Sequence, residues 1–290
     1  MTPLPFIAPI SIAGPDALGY LQGQLSNDLE TLTPEQSLLA SCNSAQGRVQ
    51  AVLQLLQRSD AIVALLPTTM VDIALARLRK YVLRAKVVVH DARNALQPCW
   101  ATASDLTEQG LAVPQGIGGH YQLGDISVMR WRDAHQERFL VLRPGAERPA
   151  TDNAVEQCWQ LADIRAGLPQ VFPETHESFV AQMLNLDVLG GISFDKGCYT
   201  GQEIIARAHF RGTVKRRMFR LQAACPAPPP GARTVYRDEP AGEVVSAANT
   251  EGGCELLAVL SLAQHSAPLR LSTGEALQLM SLPYEVPTAA

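Results

Sequence analysis

Short apolar stretches bounded by turn residues recur along the first third of the chain. Most of them carry β-branched residues, which favours strands over helices. Strands are therefore predicted at residues 37–42, 48–56, 61–66 and 86–90. Two other stretches, 14–25 and 69–83, place their apolar residues at helical spacing. In the first of these predicted helices, Leu18, Leu21 and Leu25 would share one face.

The middle of the chain continues this mixture of strands and helices. Residues 125–131 and 138–142 have the pattern of two paired strands, and residues 153–165 that of a helix ending near Gly167. The strands come in runs that isolated helices separate, without a regular strand–helix alternation. This order favours an α+β protein with antiparallel sheets over a doubly wound fold.

A proline-rich stretch at residues 226–231 interrupts the pattern. Proline lacks the N–H that a sheet needs and stiffens a connector, so the stretch is either a linker or an irregular sheet edge. Beyond it lie only short apolar segments. We therefore expect an α+β region over residues 1–222, with two interleaved subdomains, and a small β-barrel over residues 223–290.

Composition narrows the class of protein. The formal net charge of −4 over 290 residues creates no overall field that would attract nucleic acid or an anionic membrane. No apolar run approaches the roughly 20 residues needed to cross a bilayer, and the N-terminus lacks the pattern of a signal peptide. The six cysteines are scattered without metal-ligand spacing, which argues against a zinc site, a self-contained iron–sulfur site or a disulfide framework. A cytoplasmic protein with reduced thiols is expected.

One cysteine stands in a distinctive sequence, KGCYTGQE, at residues 196–203. Thr200 and Glu203 have the spacing of a capping box, which predicts a helix that begins just after Cys198. Tyr199 and Ile204 would form the accompanying hydrophobic staple. The helix dipole and the Lys196 ammonium would both favour a thiolate at Cys198. The alternative is that Cys198 is a small buried filler of the core.

Basic residues concentrate after this motif. No acidic residue occurs between Glu203 and Asp238, while the intervening segment carries six cations, namely Arg207, Arg211, Lys215, Arg216, Arg217 and Arg220. Such a local excess could receive an anionic tail, a phosphate or an RNA backbone. The alternative is a solvated protein face, and the segment is too short to indicate nucleic acid by itself.

A resemblance to a known family rests on these residues and those before them. The stretch DIRAGLP at residues 163–169, the stretch NLDVLGGISF at residues 185–194 and the KGCYTGQE motif closely resemble the YgfZ family of folate-binding proteins. These proteins are relatives of the aminomethyltransferase, or T-protein, of the glycine cleavage system. Residues 21–28 and 41–48 resemble the opening helix and turn of the family, so the resemblance covers nearly the whole chain.

The resemblance implies a fold whose elements surround a central folate-binding channel, followed by a C-terminal β-barrel. It also implies a monomer that supports the assembly or repair of iron–sulfur clusters in client enzymes, including those that thiolate tRNA. Its partners would be a reduced folate and iron–sulfur client enzymes or assembly proteins. Neither a membrane nor a directly bound nucleic acid is expected.

The resemblance also assigns roles to residues. Cys198 would be the functional thiol, and Lys196, Tyr199 and Glu203 would tune or hold it. Tetrahydrofolate or a one-carbon derivative would be the cofactor, and no metal is implied. The folate contacts would come from four residues, namely Arg165, Asn27, Gln202 and Arg207. For Arg165 the alternative role is a cation at a helix C-terminus.

One position departs from the aminomethyltransferases. Those enzymes carry an acidic pair after a glycine turn, where this chain has Gln50 and Ala51. Neither side chain can act as a carboxylate base, so aminomethyl transfer is not expected. Two alternatives stay open, a folate-dependent one-carbon transferase and an RNA-binding adaptor that uses residues 207–220.

Overall fold

A computed structural model describes residues 1–145, 149–150, 152–212 and 214–287. The helices are α1 (Ala17–Gln22), α2 (Val71–Lys80), α3 (Ala103–Glu108), α4 (Asn153–Ala166) and α5 (Gln202–Phe210). The strands of the first half are β1 (Thr2–Pro3), β2 (Ile7–Ala13), β3 (Leu38–Asn43), β4 (Val49–Gln57), β5 (Ile62–Pro67), β6 (Val88–Asp91), β7 (Leu96–Ala101), β8 (His120–Leu123), β9 (Ile126–Trp131) and β10 (Arg138–Pro144). The later strands are β11 (Arg216–Ala223), β12 (Arg233–Tyr236), β13 (Glu239–Thr250), β14 (Gly253–Ser261), β15 (Arg270–Leu271) and β16 (Gln278–Met280).

The first sheet has the order β3-β4-β5-β2-β6, and every neighbouring pair is antiparallel. It confirms the four strands predicted in this part of the chain, with bounds shifted by one or two residues. Helix α2 buries Val71, Ala74, Leu75 and Leu78, a spacing that places one apolar stripe in the core. The predicted first helix is shorter than expected. Leu18 on α1 is exposed, so it does not share the buried face of the leucines that follow it.

The second sheet has the order β1-β7-β10-β9-β8. Strands β9 and β10 are the pair predicted at residues 125–131 and 138–142, and they align Leu140 with Met129. Helix α4 contributes Trp159 to the core of this sheet. The helix ends at Gly167, whose φ of 64° is left-handed and where a Cβ would lie 2.5 Å from the Tyr284 hydroxyl. Glycine is therefore required at this helix end.

The third sheet has the order β15-β12-β13-β14-β11-β16. All of its strands except β11 lie within residues 223–290, where the C-terminal β-barrel is predicted. Its strand β11 precedes the proline-rich stretch, so that stretch connects two strands of one sheet, β11 and β12. The boundary after residue 222 stays a prediction. The ion pair from Arg165 of α4 to Glu255 of β14 ties the third sheet to the preceding region.

The three antiparallel sheets with isolated helices confirm the α+β class. A helix long and apolar enough to cross a membrane does not occur among the described residues.

Candidate functional site

The KGCYTGQE motif forms a tight turn into α5. The helix begins at Gln202, and its N-cap is Gly201 in the left-handed conformation, with φ 84°. The predicted capping box with Thr200 as N-cap is therefore wrong. The predicted hydrophobic staple of Tyr199 and Ile204 is also wrong, because it assumed the same N-cap. A Cβ at position 201 would lie 2.5 Å from the Ser44 carbonyl oxygen, so close backbone packing fixes glycine there. Thr200 instead donates its backbone N–H to the Gly23 carbonyl.

Lys196 is 8% exposed, and its ammonium lies against backbone carbonyls. Nζ donates to the carbonyl oxygens of Gln22, Leu25 and Asn27 at 2.7, 3.0 and 2.6 Å. These carbonyls belong to the end of α1 and the turn that follows it. Burial lowers the pKa of Lys196 to about 8, against the opposing effect of the Asp28 carboxylate. Lys196 therefore fastens this turn to the motif, and its effect on the thiol stays a prediction.

Cys198 is exposed to solvent, which contradicts the alternative of a buried filler. Burial raises the pKa of three other thiols, those of Cys42, Cys99 and Cys254. Cys158 is also exposed, but it lies within α4 rather than before a helix. Position 198 thus combines exposure with a place just before a helix N-terminus.

The remaining motif residues differ in their surroundings. Tyr199 is buried, and burial raises its pKa to about 12. The Gln202 side chain accepts a hydrogen bond from the Tyr199 backbone N–H at 3.3 Å. Glu203 and Arg207 are exposed on α5. Gln202 therefore stabilises the turn, whereas Glu203 and Arg207 are available to a partner or ligand.

A cavity of about 150 Å³ lies where the first two sheets meet the chain after α4. Its wall includes Gln54 of β4, Arg130 of β9, Arg132 just beyond β9, and Leu189 and Gly190. Arg130 forms an ion pair with Glu137 at 2.9 Å. Arg132 donates to the Leu189 carbonyl at 3.1 Å, and burial lowers its pKa. It has no carboxylate partner among the described residues, so it can receive an anionic group.

Asn27 connects this cavity to the thiol motif. Its Nδ2 donates to the carbonyls of Leu39 and Gly190, both 2.8 Å away and both on residues of the cavity wall. Its own carbonyl accepts from Lys196. A continuous path of contacts therefore runs from Lys196 through Asn27 to two sides of the cavity. Among the predicted folate residues, Asn27 is the one that braces this wall.

Arg165 makes an ion pair with the carboxylate of Glu255, through Nη2 at 2.7 Å and Nε at 3.1 Å. The same carboxylate accepts from Arg220 at 2.7 Å. The two guanidiniums lower the pKa of Glu255, although its burial acts in the opposite direction. Folate contact by Arg165 stays a prediction, and it would involve a guanidinium that Glu255 already holds.

Gln50 stands where the resemblance to aminomethyltransferases would place an acid. Its side-chain amide has a carboxylate beside it. Gln50 donates to the Glu177 carboxylate at 2.6 Å and accepts from Arg77 at 2.9 Å, while Ala51 is buried in β4. The sequence contained no signal for Glu177, because it is 127 residues away. The sequence also contained no signal for Arg132, except that Arg130 and Arg132 flank Trp131 at the end of a predicted strand. Among the described residues, no cluster of potential metal ligands occurs.

Comparison with solved structures defines the class of protein. The chain superposes on the glycine cleavage system aminomethyltransferase T from Bartonella henselae with a TM-score of 0.67, at 15% identity, over 97% of this chain and 85% of that one. The fold is therefore that of the T-protein, which confirms the predicted T-protein-like α+β class. No protein-family model matches the chain.

Sequence comparison identifies the family within this class. The chain is 32% identical to a tRNA-modifying protein YgfZ from Edwardsiella ictaluri over 298 residues, covering 95% of this chain and 89% of the relative. It is also 32% identical to proteins of the same name from Colwellia psychrerythraea and Klebsiella pneumoniae, covering 70% and 68% of those relatives. The chain belongs to the YgfZ family of tRNA-modifying proteins.

Proposed function

We propose that this protein binds a reduced folate in the cavity beside Arg132. We also propose that it supports the assembly or repair of iron–sulfur clusters in cytoplasmic client enzymes, including those that thiolate tRNA. The T-protein-like fold and the tRNA-modifying name of the relatives support this proposal. The observation that carries it is the half-buried guanidinium of Arg132, which has no carboxylate partner among the described residues.

The chemistry of a folate suits this wall. A folate joins a planar hydrogen-bonding heterocycle to a glutamate tail with carboxylates, and a buried guanidinium binds a carboxylate with strong, charge-assisted hydrogen bonds. The carboxamide of Gln54 adds polar contact, while Leu38 and Leu189 supply apolar surface. A cavity of about 150 Å³ encloses part of a folate rather than the whole molecule. Arg165, Gln202 and Arg207 remain proposed contacts for the remainder.

We propose Cys198 as the functional thiol of the same protein. Its exposure and its place before the N-terminus of α5 support this role, because reactive cysteines occupy accessible positions of this kind. Tyr199 and Lys196 hold the turn, and Glu203 is exposed on the first turn of α5. The path through Asn27 would let folate occupancy influence the shape of this turn.

A ligand-dependent melting measurement tests the folate site. Tetrahydrofolate should raise the melting temperature, because a ligand that binds only the native state stabilises it by mass action. Arg132→Ala should reduce this shift, whereas the exposed Arg84 provides a matched control that should not. The absence of any shift for the unmodified protein at millimolar tetrahydrofolate would contradict the proposal. A shift that Arg132→Ala leaves unchanged would place the folate elsewhere.

Glu177 favours a second candidate, a folate-dependent one-carbon transferase. Its carboxylate lies against Gln50, at the position where aminomethyltransferases carry their acidic pair, and could act as a base supplied from a different part of the chain. Turnover of methylene- or formyl-tetrahydrofolate that Glu177→Gln abolishes would establish this activity. Folate binding without turnover would leave the protein a folate-dependent accessory factor.

A further inference from the structure

The outer surface of α5 carries exposed aromatic side chains. Phe210 is 66% exposed, and its ring meets those of Phe194 and His209 edge-on. Phe194 and His209 are stacked, with ring centroids 3.8 Å apart and planes within 14°. Three adjoining rings at a surface, with the outermost one largely in solvent, are typical of a binding surface rather than of a core.

Exposed cations occur on α5 and in the residues that follow it. Arg207, Arg211, Lys215 and Arg216 are exposed, and within the described residues none of them takes part in an ion pair. Phe210 follows Arg207 by three positions, and Arg211 follows Arg207 by four. These three side chains therefore lie on one side of the helix end. The other two cations of the basic segment do not contribute, because they pair with carboxylates of the protein. Thr213 lies outside the described residues.

We propose that this surface, formed by Phe194, Arg207, His209, Phe210 and Arg211, binds single-stranded RNA. Unpaired bases stack on aromatic rings, and phosphates bind to arginine and lysine, so the two kinds of side chain fit the two parts of a nucleotide. An acidic peptide would satisfy the cations but would leave the ring faces uncovered. The choice of RNA rather than another single strand rests on the proposed function, which includes enzymes that thiolate tRNA. None of these residues lines the folate cavity, and Arg207 is the one that is also a proposed folate contact.

Fluorescence anisotropy with a labelled single-stranded 12-nucleotide RNA tests this proposal on the full-length protein. Phe210→Ala should weaken binding about 5- to 150-fold, the range expected for the loss of one stacked base, whereas Phe210→Tyr should retain it. Arg211→Ala should weaken binding and flatten the dependence of log K on log salt by about 0.7 for the lost phosphate contact.

Matched controls come from other exposed residues. Leu123 and Arg84 are exposed and lie outside this surface, so Leu123→Ala and Arg84→Ala should bind RNA as the unmodified protein does. Tetrahydrofolate affinity should be the same in all variants, which separates a failure of this proposal from a failure of the folate site. No measurable RNA affinity at low salt would overturn the proposal. Equal binding of a duplex of the same length would also overturn it. So would unchanged RNA binding in both Phe210→Ala and Arg211→Ala.

Discussion

Replacement of Lys196 by methionine tests how the thiol motif is held in place. Methionine keeps the length of the apolar stem but removes the ammonium that serves the carbonyls of Gln22, Leu25 and Asn27. Hydrogen bonds from a charged group contribute about 1.5–3 kcal/mol each, and the three share one buried ammonium, so their contributions do not simply add. We expect Lys196→Met to lower the free energy of unfolding by about 3–5 kcal/mol at pH 7.

The pH dependence provides a second signature. Burial lowers the pKa of Lys196 from 10.5 to about 8. Between these two pH values the unfolded chain binds more protons than the native protein, so the lysine contributes increasing native stability as pH rises. One pKa unit corresponds to about 1.4 kcal/mol, so the deficit of Lys196→Met should grow by about 3 kcal/mol between pH 8 and pH 10.5. Thiols and tyrosines titrate in both proteins and cancel in this difference.

Urea unfolding followed by circular dichroism at pH 7, 8, 9 and 10 measures both quantities. Lys86 is exposed, so Lys86→Met serves as the control and should change the free energy of unfolding by less than about 0.5 kcal/mol at every pH. A deficit for Lys196→Met below about 1 kcal/mol would show that the carbonyls find other partners. A deficit that does not change with pH would show that the ammonium has an ordinary pKa.

Three further predictions concern the motif and the domain organisation. Gly201→Ala should lower the free energy of unfolding by about 2–4 kcal/mol, because a Cβ would meet the Ser44 carbonyl. The control Gly252→Ala should lower it by about 1 kcal/mol, because Gly252 has a φ of 91° but no close neighbour. A similar loss in both variants would contradict the packing argument. Iodoacetamide near neutral pH should label Cys198 before Cys158. Cys198→Ser should fold normally but fail to restore iron–sulfur enzyme activity in cells that lack the protein. Full restoration would show that the thiol is dispensable. Limited proteolysis should cut near residues 226–231 and leave an N-terminal fragment of about two hundred residues, and a fragment pattern that spares this stretch while cleaving within residues 1–220 would refute the predicted boundary.

Periodicity and turn residues predicted much of the fold. The apolar stripe of α2, the strands β3 to β5, the pair β9 and β10, and the end of α4 at Gly167 all follow from local sequence. Local sequence was misleading at α5, because Thr200 and Glu203 have the spacing of a capping box while packing against Ser44 selects Gly201 as the N-cap. Thr200 lies one residue before this cap, and its backbone N–H donates to the Gly23 carbonyl.

The candidate site was less predictable, since its contacts join distant parts of the chain. Lys196 contacts carbonyls about 170 positions earlier, and Arg165 pairs with Glu255 90 positions later. The residue types alone do not specify such partners. Arg132 could not be identified from the sequence, because its place at the cavity and the lack of a carboxylate partner among the described residues are properties of the fold. Family resemblance supplied the folate hypothesis, and the geometry supplied the residue that best tests it.

Calorimetric titration with tetrahydrofolate tests the central claim most directly. The unmodified protein and Arg84→Ala should bind one equivalent with the same affinity, while Arg132→Ala should bind about 10- to 100-fold more weakly, as expected for the loss of a charge-assisted hydrogen bond. Arg165→Ala, measured alongside, should also bind more weakly if its guanidinium contacts the ligand while paired with Glu255. The absence of binding heat for tetrahydrofolate and its one-carbon derivatives, or full affinity in Arg132→Ala, would contradict a folate site at this cavity.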